Sequence, residues 1–136
     1  MRPAVFDGFH RCLAALASAG NNLIVDHIVE TRAWMADLVG LLSPYDVFFV
    51  GLHCSLPELE RREKMRGDRR PGEARADFES AHQFSSYDLE LDGEAALESN
   101  LDSLMSAWKQ RRQSGVFARM AGTVPTNQEA AETDVK

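Results

Sequence analysis

Apolar residues recur at helical spacing between residues 4 and 19, where Val5, Phe9, Cys12, Leu13 and Leu16 share one face, and Gly20 follows in position for a left-handed cap. The pattern predicts an amphipathic helix. Residues 23–28 form a short apolar run with β-branched residues at its centre, too brief for a helix, which predicts a strand buried on both faces. Thr31 stands where an N-cap would open a second helix, with Trp34, Met35, Leu38, Leu41 and Leu42 as its apolar stripe and Pro44 as its stop. Residues 47–52 are almost wholly apolar. Continuous rather than alternating hydrophobicity predicts a central parallel strand.

Ser55-Leu56-Pro57-Glu58 fits a capping box, with Glu58 placed to reach back to the Ser55 backbone N–H. The helix it opens runs into Arg61-Arg62-Glu63-Lys64-Met65-Arg66-Gly67-Asp68-Arg69-Arg70 and ends near Pro71-Gly72. Residues 73–84 predict another helix, with Phe78, Ala81 and His82 on one side. Residues 87–92 alternate apolar and acidic positions, as a half-exposed edge strand does. Asp92 is placed to cap a last helix whose buried face would be Leu97, Leu101, Leu104, Met105 and Trp108, with Lys109, Arg111 and Arg112 complementing its C-terminal dipole. From Ser114 the pattern of burial stops, and a disordered tail over 114–136 is expected. Alternating helices and strands imply an α/β fold with a parallel sheet.

The 136 residues suffice for one core, and the formal net charge of −6 argues against a nucleic-acid protein, which needs a dominant basic surface. No apolar run reaches the length of a membrane span and no signal-peptide pattern opens the chain, so a cytoplasmic protein without a membrane partner is expected. Cys12 and Cys54 lie among apolar residues and read as reduced, buried thiols. His10, His27, His53 and His82 lack metal-ligand spacing, and no metal site is expected. Phe48, Phe49, Trp34 and Trp108 lie on periodic apolar faces and read as core.

Candidate chemistry concentrates in the arginine cluster. Guanidinium groups are planar, permanently charged forks for phosphate oxygens, so several of them in one turn suit a lid that closes over phosphate; a solvated basic helix end is the plain alternative. Cys54, Arg62, Arg66-Gly67-Asp68-Arg69, His82 and Tyr87-Asp88, in that order, together with Leu23-Ile24-Val25-Asp26-His27 and Asp46-Val47-Phe48-Phe49-Val50-Gly51, resemble the chloramphenicol phosphotransferase family of P-loop kinases over roughly residues 3 to 112.

The resemblance implies an incomplete P-loop kinase-like three-layer fold over residues 1–113, with a lid at about 61–84. It implies transfer of the γ-phosphate of ATP, with Mg²⁺, to the hydroxyl of a small molecule, chloramphenicol for the member that names the family, and hence a link to antibiotic resistance. Arg66 and Arg69 fall on the positions of the family's lid arginines and are the expected catalytic residues, acting by neutralising charge on the transferred group. Arg62 joins them as a nucleotide contact, while Arg61 and Arg70 read as solvated neighbours and Asp68 as a partner orienting the lid. Asp26, at the end of a predicted strand, and His27 beside it are the expected substrate contacts; a turn cap and a structural histidine are their plain alternatives.

One departure bears on all of this. The phosphate loop G-x-x-x-x-G-K-[ST] occurs nowhere in the 136 residues. The family's proposed catalytic aspartate follows that loop and is missing with it. The chain therefore reads as a C-terminal portion of such a kinase. A non-catalytic remnant serving as a binding domain is the competing expectation, and the edges left by the missing strand suggest self-association.

Overall fold

The computed structural model describes residues 2–68, 70–111 and 115–122. Six helices and two strands follow in the order α1 (Arg2–Ser18), α2 (Arg32–Leu42), β1 (Val50–His53), α3 (Leu56–Arg66), α4 (Glu73–Ser80), β2 (Leu89–Asp92), α5 (Leu97–Gln110) and α6 (Val116–Gly122). The class is α/β. β1 and β2 are parallel, with Val50 opposite Leu89 and His53 opposite Asp92.

The core lies between α1, α2 and α6. Leu13 of α1, Met35, Leu38 and Val39 of α2, and Val116 and Phe117 of α6 are buried together, with Phe9, Trp34, Val47 and Phe49 packed against them. α1 ends as its sequence predicts, with Gly20 at φ 84° and its N–H on the Ala17 carbonyl at 2.9 Å. Its buried face differs from the expected one: Val5, Cys12 and Leu16 are exposed and His10 is buried. Burial follows the stripe facing α2, and that stripe passes through His10 and Leu13. The Thr31 hydroxyl accepts the Trp34 N–H at 3.1 Å and caps α2 as expected.

Residues 23–28 are not a strand. They run without lateral backbone pairing, and Ile24 is fully exposed at 105% relative accessibility. A β-branched run becomes a strand only when a neighbour accepts its ladder of hydrogen bonds, and among the described residues the only sheet pairs β1 with β2. The other predicted strands survive in shortened form. β1 begins at Val50 rather than 47 and lies at an edge, with Leu52 exposed, whereas β2 shows the expected alternation of burial. Gly51 is required where it stands, since a Cβ there would come within 2.6 Å of the Tyr87 ring that lies across β1.

α5 forms without the buried face its stripe predicts: Leu97, Leu101, Met105 and Trp108 are exposed, and its N-cap is Ala96. Asp92 instead accepts the Glu94 N–H through Oδ1 and offers its carbonyl to the Asn100 amide. Trp108 meets Phe48 edge to face and carries the Arg111 guanidinium 3.4 Å from its ring centroid. Arg112 lies outside the described residues. Beyond Ser114, where no burial is expected, α6 buries Val116 and Phe117 against α2. Two apolar residues in a short segment give too little periodicity to read; residues 123–136 lie outside the described part.

Candidate active site

α3 and α4 form a hairpin beside the carboxyl ends of β1 and β2, where α/β sheets expose their ligand-facing loops. Gly67 at φ 66° ends α3, and Gly72 at φ 95° opens α4. Glu63 holds the two helices together, accepting the Gly72 N–H at 3.0 Å and the Ala74 N–H at 2.7 Å, and so satisfying the N-terminus of α4. Arg75 donates to Glu60 across the hairpin at 2.7 Å.

The capping box does not form. Glu58 instead accepts from Arg61 Nε at 2.6 Å and Arg62 Nε at 2.7 Å, and these two hydrogen bonds pull its carboxyl down to about 2. The Ser55 N–H is taken by Glu94 Oε1 at 2.8 Å, from the turn after β2. The S-x-x-E spacing is right, but two arginines one turn on outcompete a neutral amide for the same carboxylate.

The expected lid arginines thus divide. Arg62 is fixed between Glu58 and the Gly93 carbonyl, the latter at 2.8 Å, and ties α3 to the turn after β2. Arg66 stands exposed at the last residue of α3 and forms no ion pair with Asp68. Arg69 lies outside the described residues. Arg61 is held by Glu58, and Arg70 is exposed.

A cleft of about 370 Å³ opens where β1 and β2 end, lined by His53, Cys54, Ser55, Phe78, Glu90, Leu91 and Asp92. Behind it the His53 and His82 rings lie tilted against each other with centroids 4.1 Å apart, and His82 Nδ1 meets the Tyr87 hydroxyl at 2.5 Å. His53 Nε2 lies 3.1 Å from the Glu90 carboxylate. His82 adopts φ 70°, a left-handed conformation uncommon outside glycine, which aims its ring at Tyr87. Burial, and then the neighbouring His53, lower the His82 pKa, while burial raises that of Tyr87. Cys54 is half-buried at this cleft, and Cys12 is exposed on α1, so the expectation of two buried thiols fails.

Asp26 is exposed on the unpaired segment. His27 is not solvated beside it: its Nε2 lies 3.0 Å from Nε2 of His10, and its ring stacks on Phe6 and Trp34. The four histidines, scattered in sequence, are therefore two pairs. Helical spacing gives no sign of either, because each pair joins a helix or loop to a different element. Asp88 likewise shows its role only in three dimensions. It accepts the Phe49 N–H at 2.9 Å and the Val116 N–H at 2.8 Å, fastening β1 and α6 to β2.

Residues 1–115 match the family described as chloramphenicol phosphotransferase-like protein. The chain belongs to that family. Two provisionally named O-phosphotransferases, from the CDC 1551 and H37Rv strains of Mycobacterium tuberculosis, are each 40% identical over 83 residues, which is 61% of this chain and 37% of theirs. The chain therefore aligns with well under half the length of these relatives. No solved structure matches. Among the described residues no group of three or more His, Cys, Asp or Glu is placed to hold a metal ion, and no helix is long and apolar enough to cross a membrane.

Against a magnesium nucleotide, the chloramphenicol phosphotransferase-like residues present make an incomplete fit. The exposed Arg66 guanidinium is a group suited to phosphate oxygens, but the backbone cradle that would hold the triphosphate is not in this sequence. What the arrangement offers by itself is a charged hairpin beside a cleft and, separately, the aromatic-walled pair of His10 and His27.

Proposed function

We propose that this chain is the lid-bearing part of an O-phosphotransferase of P-loop kinase-like fold, acting in the cytoplasm on the hydroxyl of a small molecule. Family membership supports this reaction class. The observation that carries the site is the division among the arginines. Arg61 and Arg62 are consumed by Glu58, whereas Arg66 reaches the end of α3 exposed, where it can turn toward an incoming phosphoryl group. Transferring phosphoryl groups carry charge on their equatorial oxygens, and one well-placed guanidinium lowers that barrier by electrostatics alone. Arg66 and Arg69 take this role, Arg62 braces the lid beside the nucleotide, and Asp26 and His27 face the acceptor. ATP is the expected donor and chloramphenicol one candidate acceptor. Since the triphosphate cradle is absent from this sequence, no step is assigned to the nucleotide.

The test is a chimera in which this chain replaces the aligned stretch of the mycobacterial relative, assayed for transfer of labelled γ-phosphate to a panel of hydroxyl acceptors that includes chloramphenicol. Retained transfer that falls roughly 10- to 10³-fold in Arg66→Ala, and hardly at all in Arg70→Ala, is expected. A chimera inactive on every acceptor that the intact relative phosphorylates overturns the reading.

A further inference from the structure

His10 is the most deeply buried polar residue described, at 1% relative accessibility, and its Nδ1 has no hydrogen-bond partner. Its Nε2 faces Nε2 of His27 at 3.0 Å, inside a box made by Phe6, Phe9 and Trp34. One proton must lie between the two facing nitrogens, and the unpartnered Nδ1 decides which ring owns it. A buried N–H with no acceptor loses a full hydrogen bond, while a bare ring nitrogen loses less. His10 therefore keeps Nδ1 unprotonated and carries its hydrogen on Nε2. That hydrogen is donated to His27 Nε2, which leaves the His27 hydrogen on Nδ1, the ring edge turned away from His10.

We propose that His10 is a positioning residue that fixes His27 as an Nδ1–H donor toward a ligand oxygen, so that His27 orients an acceptor hydroxyl or a phosphoryl oxygen and does not abstract a proton. The assignment of a ligand to His27 rests on the phosphotransferase reading; the tautomer does not. The aromatic walls reinforce it, because a second proton on the pair would set two N–H groups against each other in an apolar box. Burial lowers the pKa of both rings; the His10 charge lowers that of His27 further, and Asp37 of α2 with Asp7 of α1, facing His10, and Asp26, beside His27, oppose the shift only in part.

The experiment is long-range ¹H–¹⁵N correlation of the imidazole rings in the full chain, before and after addition of inorganic phosphate. The expected result is His10 as the Nε2–H form and His27 as the Nδ1–H form at neutral pH, with phosphate shifting His27 Nδ1 selectively. His10→Gln, which keeps a donor near the Nε2 position, is expected to preserve the His27 tautomer, and His10→Phe to release it. In the chimera, His10→Phe should lower kcat by up to roughly 10²-fold and His10→Gln much less. His27 found as the Nε2–H form in the unaltered chain overturns the assignment without any variant having to fold. A correct tautomer with no phosphate response removes the ligand role and leaves His10 purely structural. An inactive chimera with the tautomer intact falls on the phosphotransferase reading alone.

Discussion

The body formed by α1, α2 and α6 and the α3–α4 hairpin are both helical, yet opposite forces hold them. In the body, Met35 and Phe117 are 2% and 3% exposed and pack with Leu13, Leu38, Val39 and Val116. In the hairpin, α3 has no buried residue at all, and its ties include those of Glu58 with Arg61 and Arg62, Glu60 with Arg75, Arg62 with the Gly93 carbonyl, and Glu63 with the first amides of α4. Exposed ion pairs contribute about 0–1 kcal/mol each and weaken with salt, whereas a buried aromatic contributes several times more. The body is thus a fixed platform and the hairpin an element that opens at low cost, which is compatible with the lid role proposed for it.

The sharpest way to break this contrast is in the body. Phe117→Ala should destabilise the chain by about 3–5 kcal/mol, read as a lowered midpoint in urea, because it empties a buried ring site between α2 and β1. A change below about 1 kcal/mol would mean that α6 is not part of the core. Next in size is Glu63→Ala, which leaves the Gly72 and Ala74 amides without their acceptor and should cost about 0.5–2 kcal/mol. Its signature is local: faster amide exchange in residues 72–80 with little change in α2. Loss of protection throughout the chain would show that hairpin and body unfold as one unit.

What the sequence discloses and what it hides follow the same division. Periodicity finds α1, α2 and α5 because 3.6-residue spacing is a property of the chain, and Thr31 and Gly20 terminate helices through bonds to residues three to five positions away. Partner choice is not local. Whether 23–28 becomes a strand depends on a neighbour, whether the α5 stripe is covered depends on what packs there, and whether Glu58 caps its helix depends on which donors lie within reach. Arg62 and Arg66 are legible as a charged cluster, but only the folded chain fixes the first and leaves the second exposed. His10 with His27, and His53 with His82, have no linear signature.

The unpaired segment offers a prediction of its own. Amides of residues 23–28 should exchange at nearly the rate of an open chain, while Gly51 and Leu52 in β1 and Glu90 and Leu91 in β2 are protected by their ladder. Together with the exposed α5 stripe, Ile24 and its neighbours supply apolar surface and unsatisfied backbone for self-association. Size exclusion over a concentration series should show growth beyond a monomer, accompanied by protection appearing in 23–28. A monomer at all concentrations with 23–28 protected would mean that the segment finds a partner within its own chain.

The smallest effects are those of pH, and they separate the two regions by opposite chemistry. His10 and His27 have pKa values lowered by burial from the ordinary 6.5, so the unfolded chain binds more protons than the native one as pH falls below that value. Their contribution is fully present above about 6.5 and declines below it, levelling once the folded rings themselves titrate. Glu58 is also depressed, from 4.5 to about 2, by its two arginines. Its contribution is present above about 4.5 and is lost as pH falls toward 2. Acidification from 7 to 5 should therefore loosen the α1–α2 body first, seen as increased Trp34 fluorescence change and exchange near His10, with the Glu58 grip on α3 intact. Between 4.5 and 2 the hairpin should follow, and His10→Gln should shrink the first phase, leaving the part due to buried His27, without changing the second. Hairpin opening that precedes any change at Trp34 would mean that the buried histidines do not set the acid limit of the body, whatever the relative stability of the two regions at neutral pH.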